Sequence, residues 1–226
     1  MKLYYSPGSC GLASQIALRE ADQAFDLIKV DFKTKQTVEG DYYQVTPKGF
    51  VPALKLDDGD ILTEGAVILQ WIADHNPQAG LMPVFGSRER YTALEWLNFV
   101  ASDLHKNMAV MFSPVVDAGT KARFAEANLV NKFEYIEEKL TGRDYVLGQR
   151  FSIADAYLYV VLRWARGPCT EPWRLEARPR PGLRPQAPAP VPPPRRPLRP
   201  ERRRPACQPG QPGRRDAGVC LRPDRR

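Results

Sequence analysis

Polar and apolar positions in the first 78 residues switch between strand spacing and helix spacing. Strand-like runs at Lys2–Tyr5 and Phe25–Val30 flank a stretch in which Leu12, Ile16 and Ala17 recur at helical intervals. The order strand, helix, strand is typical of the start of a sheet with a crossover helix. We therefore predict an α/β structure for this part of the chain.

A hairpin followed by a capped helix is predicted next. The strands are Ala53–Leu56 and Asp60–Leu62, and Asp57-Asp58-Gly59 between them tolerates the left-handed backbone of a tight turn. Thr63 has the side chain of an N-cap, and apolar residues at helical spacing follow it. A short helical turn is also expected near 41–45, within an otherwise polar loop.

Beyond residue 80 the spacing is helical only. Gly and Pro mark 80–86 as a linker, and helices are predicted over 88–112, 120–140 and 152–164, the last opening with the capping-box pattern Ser152-Ile-Ala-Asp155. The predicted fold class is an α/β thioredoxin-like N-terminal domain plus an all-α C-terminal domain, with a disordered tail rich in Pro and Arg. The predicted boundaries are 1–78, a linker at 79–86, a truncated helical domain at 87–165, and the tail at 166–226.

Composition changes sharply at about residue 166. Residues 1–165 carry 17 Lys and Arg against 21 Asp and Glu, whereas residues 166–226 carry 16 Arg against 5 acidic residues and hold 16 of the 22 prolines. The net charge of +7 therefore belongs to the tail. Cys10 is the only thiol before the tail, which does not suggest a disulfide-framed fold. With no leader pattern and no apolar run of ~20 residues, we expect a cytoplasmic protein without a membrane span.

The tail has the residue usage of a wrong reading frame in a G/C-rich gene. From Arg166 onward it lacks Lys, Asn, Ile, Met, Phe and Tyr, whose codons begin with two A/T bases. Our hypothesis is a frameshift near codon 166. The alternative is a basic, Pro-rich arm that binds nucleic acid or anionic surfaces by charge. Resequencing would reject the frameshift if the reading frame is intact through codon 166.

Cys10 carries the sharpest candidate chemistry. It follows a Pro-Gly turn at a predicted helix N-terminus, where the positive end of the helix dipole favours a thiolate and would lower the thiol pKa. The plainer interpretation is a buried Cys that packs as a small hydrophobe. Tyr5 and Ser9 are weaker hydroxyl candidates nearby.

The hairpin corner could hold a small zwitterion. The predicted helix N-terminus at Gly65 would receive a carboxylate, Glu64 an ammonium group, and Val51 offers backbone N–H and C=O groups just before Pro52, where a cis peptide bond is plausible. An ordinary hairpin and capped helix would need the same residues, so the sequence leaves both interpretations open.

Four stretches, in order, resemble the glutathione transferases. They are Met1-Lys-Leu-Tyr-Tyr-Ser-Pro-Gly-Ser-Cys10, the Val51-Pro-Ala-Leu to Leu-Thr-Glu-Gly65 hairpin, Glu95-Trp-Leu-Asn-Phe-Val-Ala-Ser-Asp-Leu-His105, and Gly148-Gln-Arg-Phe-Ser-Ile-Ala-Asp-Ala-Tyr157. The first resembles the bacterial, cysteine-containing beta class. The resemblance covers 1–165 and stops at the tail, where relatives continue with about forty residues of helix.

The resemblance implies that Cys10 and His105 are catalytic and hold the glutathione sulfur. It implies glutathione contacts at Cys10, Lys35, Val51, Pro52, Glu64, Gly65, Asn98, Ser102, Asp103, Leu104 and His105, with Asp103 reaching a neighbouring subunit. Without the resemblance, His105 would be taken as an ordinary helix histidine. Gly11 departs from the Ser often found after this Cys, which weakens the carry-over around the turn.

The implied function is conjugation of the glutathione thiolate to small hydrophobic electrophiles, a detoxification reaction of homodimers, with glutathione as co-substrate and no metal. Loss of the terminal helices would impair it. The alternative is a glutathione-dependent thiol-disulfide oxidoreductase or peroxidase working through a Cys10 mixed disulfide. A further alternative is non-specific binding of nucleic acid or anionic surfaces by the basic tail; a membrane partner is not expected.

Overall fold

The computed structural model describes residues 1–165 of the 226-residue chain. The predictions made for the tail, its frameshift, its disorder and its binding of nucleic acid or anionic surfaces, lie outside the described residues.

A four-stranded sheet forms the N-terminal part. Its strands are β1 (Lys2–Tyr5), β2 (Asp26–Lys29), β5 (Ala53–Lys55) and β6 (Ile61–Thr63), in the order β2-β1-β5-β6. β1 pairs with β2 in parallel, while β5 runs antiparallel to both β1 and β6. A small second hairpin, β3 (Gln36–Thr37) with β4 (Gly40–Asp41), was not predicted.

The strand alternation decides which side chains enter the core. Leu3 pairs with Leu54 and both are fully buried, while the next pair, Tyr4 with Ala53, points to the opposite face. On that opposite face Tyr42 is also fully buried and packs in the same small cluster as Tyr4. The sheet is therefore covered on both sides, and its first face receives the helices that carry the site.

Within residues 1–165, seven α-helices pack beside the sheet or follow it. They are α1 (Gly11–Glu20), α2 (Gly65–His75), α3 (Arg88–Phe99), α4 (Lys106–Ala109), α5 (Ala118–Asn128), α6 (Val130–Leu140) and α7 (Ile153–Trp164). Short 3-10 turns lie at Tyr42–Gln44, Pro77–Ala79 and Val110–Phe112. The first of these turns confirms the helical turn expected near 41–45.

The C-terminal helices differ from the predicted ones at two points. The segment predicted as one helix over 88–112 consists of α3, a π-helical stretch at Val100–His105, α4 and a final 3-10 turn. The predicted helix 120–140 is two helices, because Leu129 leaves helical geometry with φ −117°. Both differences are local backbone changes inside apolar-periodic segments, which periodicity alone does not reveal.

The start of α7 agrees with its predicted capping box. Ser152 is the N-cap, its side chain and that of Asp155 complete both halves of the box, and Asp155 also accepts a hydrogen bond from the Val146 backbone N–H at 2.8 Å. α7 packs against α1. This contact joins the α/β part to the helical part through a continuous apolar core.

Within residues 1–165, no helix combines the length and the apolar character needed to cross a bilayer.

Candidate active site

The sheet direction brings two helix N-termini to the same edge. β1 leads into α1 and β6 leads into α2, and β1 and β6 run in the same direction because each is antiparallel to β5. Both helices therefore start at the same edge of the sheet. This places Cys10, the N-cap of α1, on the same side as Glu64, the N-cap of α2.

Cys10 is buried, and its thiol is more weakly acidic than predicted. Its side chain is 9% exposed, and Sγ donates to the carbonyl oxygen of Val51 at 3.5 Å. Burial and the negative charge of Glu64 raise the Cys10 pKa to about 11, against the smaller lowering effect of backbone N–H groups at the start of α1. The prediction of a lowered pKa was wrong, because desolvation outweighs the helix N-terminus.

Glu64, not Thr63, is the N-cap of α2. Thr63 is the last residue of β6, and Glu64 has a left-handed backbone with φ 71° and no side-chain cap hydrogen bond. A non-glycine residue in this region carries backbone strain of roughly 1–3 kcal/mol, of the kind found at ligand sites. The Glu64 carboxylate accepts a hydrogen bond from Lys48 Nζ at 2.7 Å, and the same ammonium group donates to Thr63 Oγ1 at 3.0 Å. The Lys48 ammonium group thus lies on the carboxylate that was predicted to receive the ammonium group of a ligand.

The strand edge beside Cys10 is shaped by Val51 and Pro52. The peptide bond between them is cis, as the sequence suggested, and both residues are buried. Lys35 has a positive φ of 57°, and its ammonium donates to the carbonyl of Gly49 at 2.9 Å. Lys35 therefore lies near the start of this strand edge, with its charge partly buried.

His105 closes the site from the helical part. Its Nδ1 lies 2.7 Å from the hydroxyl oxygen of Tyr157, and burial together with the positive charge of Lys106 lowers the His105 pKa. Trp164 packs edge-on against the imidazole with ring centroids 4.9 Å apart, and its Nε1 donates to the carbonyl oxygen of Gly8 at 2.8 Å. Gly8 belongs to the turn that precedes Cys10, so α7 links His105 to the thiol loop.

The predicted contacts on α3 and the π-helical stretch form a separate group. Ser102 Oγ lies 2.9 Å from the Asn98 carbonyl oxygen and 2.7 Å from Asp103 Oδ2, so its one O–H is shared between two acceptors. Leu104 is fully buried in the core, so its side chain does not face a ligand. The exposed Asn98 and Ser102 have only these local hydrogen bonds among the described contacts of residues 1–165.

Sequence reasoning missed three residues of this site: Lys48, Tyr157 and Trp164. Tyr157 lies close to the N-termini of both α1 and α2. A Cβ atom added at Gly65 would lie 3.8 Å from the Tyr157 hydroxyl oxygen, and Cys10 and Glu64 both contribute to raising the Tyr157 pKa. Tyr157 belongs to the last of the four resembling stretches, but nothing in its spacing relates it to His105. Lys48 lies just before the predicted strand edge, so its position in the sequence was a signal that could have placed it in the site.

In the part of the chain that the structure describes, no three His, Cys, Asp or Glu side chains come together as metal ligands.

Comparisons with known proteins agree with this architecture. Residues 9–75 match the family description "Glutathione S-transferase, N-terminal domain", and residues 70–185 match "Glutathione S-transferase, C-terminal domain". The chain is 48% identical to Glutathione S-transferase GstA of Escherichia coli O157:H7 over 166 residues, which cover 73% of this chain and 82% of that protein.

Two solved structures show the same fold. The glutathione S-transferase of a sphingomonad complexed with glutathione is 42% identical and has a TM-score of 0.69. The match covers 80% of this chain and 94% of that one. The beta-class glutathione S-transferase of Sphingomonas chungbukensis is also 42% identical with a TM-score of 0.69, over 74% of this chain and 83% of that one. These matches confirm the predicted resemblance to the beta class and the predicted fold.

Proposed function

The chain belongs to the glutathione S-transferase family, and from that premise we propose how its own residues bind glutathione and transfer it to an electrophile. The observation that carries the proposal is the meeting of Cys10, Glu64 and Tyr157–His105 where the two helix N-termini face α7. Glutathione transfer is the shared activity named for the relatives.

Glutathione would lie extended along the strand edge. Its γ-glutamyl carboxylate would meet the N–H of Gly65 at the start of α2, and its ammonium group would take the place of Lys48 on Glu64. The cysteinyl backbone would pair with Val51 next to Pro52, and Lys35 would meet the glycyl carboxylate. Asn98 and Ser102 would complete the site from the helical side.

The thiol of glutathione would then lie between Cys10 and His105. Because its pKa is raised, Cys10 keeps its proton at neutral pH and can turn its S–H from the Val51 carbonyl toward a thiolate. The lowered His105 pKa keeps the imidazole neutral. The glutathione sulfur attacks the electrophilic carbon, a C–S bond forms, the leaving group departs with its electron pair, and the thiol proton passes to solvent.

Redox chemistry through Cys10 receives less support. A mixed disulfide needs the Cys10 thiolate, and burial beside Glu64 keeps this thiol protonated. Conjugation needs only the thiolate of the bound glutathione. The protonated Cys10 therefore supports conjugation over redox chemistry. For the acceptor we propose small hydrophobic electrophiles, whose conjugation would serve detoxification.

We also propose that the protein is a cytoplasmic homodimer in which Asp103 reaches the site of the partner subunit. Its carboxylate accepts a hydrogen bond from Ser102 on an exposed helical turn, where a second chain could meet it. Sedimentation velocity of the full chain tests this, and a monomer at micromolar concentration would reject it.

The deciding experiment is isothermal titration of the full 226-residue chain with glutathione. Glu64→Gln removes the carboxylate that receives the ammonium group and should weaken binding about tenfold or more, since a hydrogen bond to a charged group contributes about 1.5–3 kcal/mol. Glu126→Gln, an exposed change on α5, is the matched control and should bind as the unmodified chain does.

Turnover with a chloronitrobenzene should follow binding and should fall in His105→Gln. If circular dichroism shows a folded chain but no glutathione binding is detected, the proposal is rejected. Equal affinities of Glu64→Gln and Glu126→Gln would reject the placement of the γ-glutamyl group.

A further inference from the structure

Tyr157 makes a contact with His105 that the reaction so far does not use. Its hydroxyl oxygen lies 2.7 Å from His105 Nδ1, the two rings meet edge to face at 87°, and the Tyr157 side chain is 4% exposed. The two residues are 52 positions apart in sequence and belong to different helical segments. Such a short contact between a buried ring and a half-buried one fixes their relative orientation.

Two directions are open to this hydrogen bond, because a phenol oxygen can accept as well as donate. A phenol is a donor as long as it keeps its proton, and a neutral imidazole has one donor and one acceptor nitrogen. Burial, with smaller electrostatic contributions from Cys10 and Glu64, raises the Tyr157 pKa above its ordinary value, while burial and Lys106 lower that of His105. Both groups are therefore neutral near pH 7. Within residues 1–165, His105 is the one described hydrogen-bond partner of the buried Tyr157 hydroxyl, so the arrangement in which the phenol donates and Nδ1 accepts leaves no buried O–H unpaired.

An imidazole that accepts at Nδ1 must carry its proton at Nε2. We propose that Tyr157 is a positioning residue, which holds His105 in the tautomer with Nε2–H and so directs a donor at the sulfur of bound glutathione. This inference rests on the proposed function. Without the phenol, the other tautomer becomes available and presents a lone pair to a thiolate, which is repulsive.

Trp164 supports the same orientation from the other side. Its ring packs against the imidazole, and its Nε1–H is used by the Gly8 carbonyl, so it offers His105 no competing donor. Tyr157 is then the group that sets the proton position on His105. Tyr157 also lies near Gly65, so a direct contact with glutathione must be separated from an effect through His105.

The test compares Tyr157→Phe with Tyr159→Phe. Tyr159 is on the same helix, two residues on, and is 55% exposed, which makes it a matched control. The first readout is the tautomer of His105 in the free protein, from the ¹⁵N shifts of its ring. The chain has two histidines, and His75, whose Nδ1 lies 2.9 Å from the Trp71 carbonyl, serves as the internal reference.

We expect Nε2–H at His105 in the unmodified chain and in Tyr159→Phe, and a mixture of tautomers in Tyr157→Phe with His75 unchanged. The second readout is the pH profile of kcat/KM for the electrophile at saturating glutathione, which reports the ionisation of the enzyme–glutathione complex. Loss of the directed donor should raise the apparent pKa of the bound thiol by about one unit, so Tyr157→Phe should be about tenfold slower below that pKa and recover at higher pH. The KM for glutathione should change little.

The third arm repeats Tyr157→Phe in a His105→Gln background, where the effect on the profile should vanish. An unchanged His105 tautomer in Tyr157→Phe, or an equal loss in the His105→Gln background, overturns the proposal. The tautomer is read without substrate, so a chain that shows no turnover rejects the proposed function while the ring shifts still decide the role of Tyr157. A loss of thermal stability with unchanged ring shifts would make Tyr157 merely structural.

Discussion

Cys10 should react slowly with a small neutral disulfide, and its rate should keep rising with pH. Burial and Glu64 raise its pKa from an ordinary 9.0 to about 11, so at pH 8 the folded protein holds about 100-fold less thiolate than the unfolded chain. A thiolate of higher pKa is the better nucleophile. With a Brønsted coefficient of about 0.4–0.5, this rise in pKa makes each Cys10 thiolate roughly tenfold more reactive. The electrostatic effect is therefore about tenfold net slowing, and burial adds to it.

The assay uses 2-hydroxyethyl disulfide on the full chain, with acid quenching and mass spectrometry of the peptide that contains Cys10. Peptide mapping keeps Cys169, Cys207 and Cys220 out of the measurement. The rate at Cys10 should rise about tenfold per pH unit from about pH 7 to pH 10, while the chain in concentrated guanidinium chloride should level off near pH 9.

The same shift has a consequence for stability. Because the folded pKa is raised, the contribution of Cys10 is fully present below pH 9 and is lost as the pH rises from 9 to about 11. Glu64→Gln should move the Cys10 profile toward lower pH, and Glu126→Gln should not. A folded-state rate that levels off below pH 9 would show that the helix N-terminus outweighs burial, and would refute the reasoning.

Three substitutions test the packing around the site, each by urea unfolding followed by circular dichroism. Asp74→Ala should lower the free energy of unfolding by about 1–3 kcal/mol, because the buried Arg90 guanidinium then loses its hydrogen bonds to both carboxylate oxygens, at 2.7 and 2.9 Å. An unchanged urea midpoint would contradict this. Ser152→Ala removes half of the capping box and should cost about 1 kcal/mol, and a loss below the measurement error would mean that α7 does not need its cap. Trp164→Phe keeps a ring but loses the hydrogen bond to Gly8, so the free energy of unfolding should fall by about 0.5–1.5 kcal/mol. An unchanged free energy of unfolding would contradict a stabilising role for this bond between α7 and the turn.

Local signals in the sequence predicted the elements that depend on neighbouring residues. The Asp57-Asp58-Gly59 turn is present, with Gly59 at φ 97°, and Ser152 caps α7 as expected. Both features need only a few adjacent residues, so one sequence contains them in full. The cap of α2 is different, because the strained backbone of Glu64 is held by its surroundings and not by a side-chain preference.

Properties set by tertiary contacts could not be predicted from the sequence. The helix N-terminus near Cys10 was visible, but the burial that reverses its effect depends on Val51 and on the helices packed over the turn. The partnership of Tyr157 with His105 likewise depends on how α7 crosses the sheet-bearing part. The break at Leu129 leaves the apolar spacing intact on both sides, so it gave no signal.

The hydrogen bond from Trp164 to Gly8 joins positions 156 residues apart. Translation at roughly 5–20 residues per second separates them by about 8–30 s, during which the turn and sheet of the nascent chain exist without α7. Until α7 emerges from the ribosome, α1 lacks the partner that helps to bury Cys10, and the thiol meets water and cellular oxidants. The interval of greatest oxidative vulnerability of this cysteine therefore falls during synthesis, before the enzyme has formed its site.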